Sequence, residues 1–92
     1  MFSVPRVNVI QSSDGFSVEV LGRSGLKYQE KDHVMMIYAE VLATDGIAIW
    51  QRTMKKWEPP HESEEIDSDR RGEILGNIKR AFSFRGTRIQ II

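Results

Sequence analysis

The chain has 92 residues, room for one hydrophobic core and one domain spanning residues 1–92. Thirteen Lys plus Arg offset thirteen Asp plus Glu, so a zero formal charge gives no bulk electrostatic reason to expect nucleic acid, an anionic membrane or a polyacidic substrate. Cysteine is absent, which excludes disulfides, Cys-ligated zinc and thiol catalysis, while 40% hydrophobic and 28% charged residues are ordinary globular values.

Met1 to Arg6 lacks the basic start and apolar run of a signal peptide. No apolar stretch reaches the roughly 20 residues that span a bilayer. The expectation is a cytoplasmic protein with no membrane contact. Val7 and Val9, then Phe16, Val18 and Val20, alternate with polar neighbours, the period of half-buried strands. Between these runs Asp14-Gly15 signals a hairpin, because glycine takes positive φ cheaply. Leu21 to Gly25 reads as the next turn, Leu26 to Glu30 as a short edge strand, and Lys31-Asp32-His33 as a loop.

Val34 to Ala43 is a longer apolar run broken only by Glu40, which fits a central strand. Asp45-Gly46 then turns the chain. Ile47, Ile49, Gln51 and Thr53 oppose Ala48, Trp50, Arg52 and Met54 along one further strand. At Pro59-Pro60 two fixed φ angles and two missing donors stop both helix and central strand, so the chain changes layer there.

Beyond the prolines the period becomes helical: Ile74, Leu75, Ile78, Ala81 and Phe82 form an apolar stripe. Asp67 or Ser68 can cap that helix, Asp69 and Glu73 suit its N-terminal end, and Gly86 is a natural left-handed stop. Gly72 and Gly76 each weaken a helix interior by roughly 1 kcal/mol relative to alanine. Close packing or a ligand approach on that face is one explanation, plain tolerance on a well-capped helix the other. Thr87 to Ile92 closes the chain as a strand.

These elements predict an α+β fold: an antiparallel meander of five or six strands packed against one long helix, the final strand rejoining the sheet. The predicted core comprises Val7, Val9, Phe16, Val18, Val20, Ile37, Val41, Ile47, Ile49, Trp57, Ile74, Leu75, Ile78, Phe82, Ile89 and Ile91.

Catalytic chemistry finds no foothold. Neither His33 nor His61 has the i, i+4 partner of a helical metal site, so the expectation is no metal and no cofactor. The serines lack a nucleophile-elbow context. The carboxylates at 64, 65, 67 and 69 crowd one exposed segment rather than flank a dry cleft. The protein is therefore expected not to be an enzyme.

Charge order is more telling. Arg52, Lys55 and Lys56 precede the prolines, and Glu58, Glu62, Glu64, Glu65, Asp67 and Asp69 follow as an acidic run. One reading is a solvated junction that complements the helix dipole. The other is a contact surface for a basic partner, with Trp50 as its exposed anchor and Trp57 either core or interface. The candidate partner-binding residues are thus Trp50, Arg52, Glu58, Glu62, Glu64, Glu65, Asp67 and Asp69. A nucleic-acid-associated accessory role through Arg52, Lys55, Lys56, Arg70, Arg71, Lys79 and Arg80 is the alternative. A homodimer through an exposed Gly46–Met54 hairpin edge is a third.

From Ile37-Tyr38-Ala39 through Trp57-Glu58-Pro59-Pro60-His61 to the helix at 66–82, the chain resembles a family of bacterial immunity proteins of polymorphic toxin systems, the one numbered seventy-four. Its members share a Trp, a proline-containing acidic junction, an Ile-rich helix and a closing strand. The resemblance implies a cytoplasmic antitoxin that binds a cognate toxin and has no catalytic residues to carry over. The segment Gly46 to Met54 departs from that pattern and reads as an added hairpin arm.

Overall fold

The structure is a computed structural model that describes residues 1–43 and 45–92. Its strands are β1 (Phe2–Arg6), β2 (Val9–Ser12), β3 (Phe16–Val20), β4 (Leu26–Glu30), β5 (His33–Ile37), β6 (Ala39–Leu42), β7 (Gly46–Ile49) and β8 (Arg88–Ile91). A short 3₁₀ turn covers Gln51–Thr53, and the helix α1 runs Ser68–Arg85. The first five strands form an antiparallel meander in the order β1-β2-β3-β4-β5. A second sheet has the order β6-β7-β8, with β6 antiparallel and β8 parallel to β7. The expected α+β meander with one long helix is the observed one, and the final strand joins this second sheet.

The alternating pattern builds the inner face of the meander. Ile10 lies opposite Val18, Val18 opposite Tyr28, and Tyr28 opposite Met35, and all four are buried. Against this row α1 sets Ile74, Leu75, Ile78, Ala81 and Phe82, all buried as their spacing predicts. Asp67 is the N-cap: its Oδ1 accepts the Arg70 N–H at 2.8 Å. Gly86 ends the helix at φ 75°, where a side chain would be strained.

Several expectations change in the structure. Val7 sits in the β1–β2 turn and is 82% exposed, while Val9 and Ile10 are both buried. The strand β1 runs beside β2 with an irregular register between Ser3 and Arg6, and Pro5 falls in that interval on the sheet edge. The β4 strand is interior, because a turn with Lys31 at φ 54° folds β5 back along it.

The run Val34–Ala43 is two strands in two sheets. At Tyr38 the N–H donates to Thr53 Oγ1 at 3.0 Å and the carbonyl accepts the Trp50 N–H at 3.0 Å. Those bonds take Tyr38 out of the meander ladder and start the second sheet. Val41, expected in the core, lies on the edge strand β6 and is 52% exposed. Nor is Gly46–Met54 an added arm or a free edge. The β7 strand is central in its sheet and buried along its length, and the remainder of the segment turns through the 3₁₀ element. Val20, Ile89 and Ile91 pack against the core while half-buried.

The glycines at 72 and 76 have a plain explanation. A Cβ at either position would meet nothing within 4 Å, so no close approach requires them. Gly72→Ala and Gly76→Ala should each raise stability by about 0.5–1 kcal/mol in urea unfolding. Ile78, fully buried between α1 and the meander, should behave oppositely: Ile78→Ala should lower stability by about 2–5 kcal/mol. A thermal melt unchanged by Ile78→Ala would contradict this placement of the helix face.

Candidate functional site at the Pro–Pro junction

Trp57 anchors the segment between the 3₁₀ turn and α1. Its side chain is buried, with ring centroids 6.4 Å from Tyr28 and 5.1 Å from His33, and the Arg70 guanidinium stands 5.7 Å over the indole. This settles its place in the core. Directly after it the Glu58 N–H donates to the Val34 carbonyl at 2.7 Å, fastening the junction to β5. Tight turns follow, with His61 N–H donating to Glu58 O at 3.0 Å and Glu64 N–H to His61 O at 3.1 Å.

Those turns carry His61 and Glu64 onto the β4–β5 turn, where Asp32 and His33 stand. The two imidazoles stack with centroids 3.6 Å apart and planes 12° from parallel. His33 Nε2 lies 2.9 Å from Glu64 Oε1, and His61 Nδ1 lies 2.9 Å from Glu64 Oε2. On the opposite side His33 Nδ1 is 3.0 Å from Asp32 Oδ1 and His61 Nε2 is 3.5 Å from Asp32 Oδ2. Each ring therefore bridges the same two carboxylates.

The electrostatics follow the geometry. The Glu64 contact, followed by that of Asp32, raises the His33 pKa above its ordinary value. The same hydrogen bonds hold the Asp32 and Glu64 carboxyls below theirs, with His33 the leading cause for each. Asp32, His33 and His61 also place donor atoms within 4.8 Å of one another, a grouping able to hold a metal ion.

Beside this quartet an open pocket of about 460 Å³ has Trp57, Glu30, Glu65, Asp67 and Arg70 among its lining residues. Arg70 pairs with Glu30 and with Glu73, the latter at 3.5 Å. Glu30 in turn accepts the Tyr28 hydroxyl at 2.6 Å, and Asn77 Nδ2 donates to that hydroxyl at 2.9 Å. Burial first, then the Glu30 contact, push the Tyr28 pKa upward, so this phenol stays a neutral donor.

The predicted site residues divide between two places. Glu64, Glu65 and Asp67 line the junction pocket. Glu58, Glu62 and Asp69 are exposed on the same segment and its first helical turn, and Asp67 also caps the helix. Trp50 and Arg52 form no part of that pocket. Trp50 is half-buried, its ring 4.9 Å from Tyr38 at an interplanar angle of 68°, while Arg52 is exposed in the 3₁₀ turn. Sequence spacing argued against His33 and His61 as metal ligands and did not single out Asp32, since the two histidines lie far apart in the chain. Only the pairing of β4 with β5, and the tie of Glu58 to Val34, brings them together.

Among the described residues no helix is long and apolar enough to cross a membrane. No curated protein and no solved structure matches the chain. The family model described as Immunity protein 74 matches residues 17–92, from β3 through the junction and α1 to the last strand. With most of its length so matched, the chain belongs to the Immunity protein 74 family.

Proposed function

We propose that the protein is a non-catalytic antitoxin that neutralises a cognate bacterial toxin by covering part of its surface. The family match over residues 17–92 is the observation that carries this reading. The geometry adds a physical basis. Glu58, Glu62, Glu65 and Asp69 are exposed, and none makes an ion pair among the described residues. Their charge is not consumed inside the fold, so it is free to steer a basic partner. They ride on a segment held by Trp57 and by the Glu58–Val34 hydrogen bond, which limits the ordering that binding would cost. The aromatic pair of Trp50 and Tyr38, the latter 43% exposed, offers a separate apolar anchor.

The nucleic-acid alternative loses ground on two of its bases. Arg70 is engaged by Glu30 and Glu73, and Arg80 stands 3.7 Å from Asp14. A toxin that acts in the cytoplasm would place the antitoxin there too.

The direct test co-expresses this chain with a candidate toxin domain, taken from the C-terminal part of the product of the neighbouring reading frame. Restored growth and a complex that survives gel filtration are the expected results; continued toxicity with no complex would overturn the reading. In that complex the triple variant Glu58→Gln, Glu62→Gln, Glu65→Gln should melt like the parent, since exposed carboxylates contribute little to stability. It should associate more slowly at low salt, with a difference that shrinks as salt rises. Trp50→Ala should act on dissociation instead, speeding it by about tenfold or more, equivalent to about 1.4 kcal/mol of lost anchoring. Surface-based kinetics at two salt concentrations separate the two effects.

A further inference from the structure

We propose that Asp32, His33 and His61 form a three-ligand site for a divalent transition-metal ion of the zinc, nickel or cobalt kind, with Glu64 orienting both imidazoles from behind. The spacing of the two histidines in the chain argues for no such site; their placement in the fold argues for one.

Geometry carries the case. The two rings stack with centroids 3.6 Å apart, and each turns one nitrogen toward Glu64 and the other toward Asp32. Both Glu64 contacts are 2.9 Å and the His33 Nδ1–Asp32 contact is 3.0 Å, but His61 Nε2 stands a looser 3.5 Å from Asp32 Oδ2. The Asp32 side therefore gathers two ring nitrogens and a carboxylate whose donor atoms all lie within 4.8 Å of one another.

A divalent cation on the Asp32 side would engage all three of these donors at once. Glu64 then accepts one N–H from each ring, which fixes His33 as the Nε2–H tautomer and His61 as the Nδ1–H tautomer. His33 Nδ1 and His61 Nε2 are left as lone pairs on the side of Asp32, within the 4.8 Å grouping. A carboxylate behind a ligating imidazole is the usual means of setting its tautomer and basicity. Two neutral imidazoles with Asp32 and Glu64 carry two negative charges, which the ion balances.

The donor set selects the ion. Two nitrogens and one carboxylate suit borderline metals rather than calcium or magnesium, which favour all-oxygen shells. Ligands at about 2.0–2.2 Å in a tetrahedron stand roughly 3.3–3.6 Å apart, so a grouping whose donor atoms lie within 4.8 Å of one another has to contract by at most about 1.5 Å. The near-parallel rings must also splay until their lone pairs converge, a rotation about broad terminal torsions. The backbone beneath is fixed by the Glu58–Val34 bond and by Trp57 against His33. Three protein ligands leave a coordination position open, and Asp32, 78% exposed at its side chain, turns that position toward solvent.

The test uses tag-free full-length protein stripped with chelator and titrated with zinc chloride by calorimetry. Cobalt chloride is the spectroscopic probe, because its visible band intensifies when it leaves octahedral water for a lower-coordinate site. One equivalent should bind, with a cobalt spectrum unlike that of the aqueous ion. Asp32→Asn and His61→Ala should each weaken zinc at least 100-fold, and Glu64→Gln about 10–100-fold through lost orientation of the rings. Asp32 is a surface side chain, so its variant should keep the parent far-UV circular dichroism and carry the test if His61→Ala fails to fold. Absence of saturable binding would overturn the proposal, as would zinc affinity unchanged in Asp32→Asn.

Discussion

The buried indole of Trp57 is the contact on which the rest of the arrangement hangs. It closes a row of rings across the meander: Phe2 against Phe16 at 5.9 Å, Phe16 against Tyr28 at 5.8 Å, Tyr28 against Trp57 at 6.4 Å, then His33 and His61. The six rings come from four strands and the junction, which supplies both Trp57 and His61, so the row joins β1, β3, β4 and β5 to the segment between β7 and α1. Aromatic pairs of this kind contribute about 0.5–1.5 kcal/mol each beyond their buried area. Remove the indole, and the Pro–Pro segment and the start of α1 keep only their polar ties, Glu58 N–H to the Val34 carbonyl and Arg70 to Glu30.

Polar groups near that seat are placed so that burial is tolerable. Tyr28 brings a hydroxyl into the core, an expensive group to leave unpaired. It donates to Glu30 and accepts from Asn77, while Arg70 engages Glu30 and lies over Trp57. The helix is thereby registered on β4 by directional bonds, where apolar contact alone would allow it to slide. Among the described residues Glu58, Glu62, Glu65 and Asp69, on the outer side of the same segment, make no ion pair, and that asymmetry separates structural charge from charge available to another molecule.

Much of the fold was legible because local signals agreed with one another. The helix announced itself by stripe, cap and stop, and Ile74, Ile78, Asp67 and Gly86 occupy the positions their types imply. The first hairpins followed from Asp14-Gly15 and the alternation of Phe16 and Val18. Tyr38 was opaque. Nothing in an apolar run marks the residue whose backbone will bond to Thr53 and Trp50, so one long strand and two short ones look alike in sequence. Val41 misled for the same reason: β-propensity signals a strand but not which face water sees. The histidine cluster was hidden more deeply, because its members meet only through the register of β4 with β5 and a turn beyond two prolines.

The parallel pairing of β7 with β8 has a consequence for the order in which the molecule can assemble. The meander closes through short turns, each strand meeting its sequence neighbour. Ile47 instead pairs with Ile89, and Ile49 with Ile91, across the entire junction and helix. A parallel ladder cannot be reached through a tight turn, and closing a long loop costs entropy before any contact repays it. The lowest-entropy route forms the meander first, seats α1 on it, and lets β8 find β7 last. The β7–β8 ladder is then the clasp of the fold, closing once the ring row and the helix have fixed the distance it must bridge.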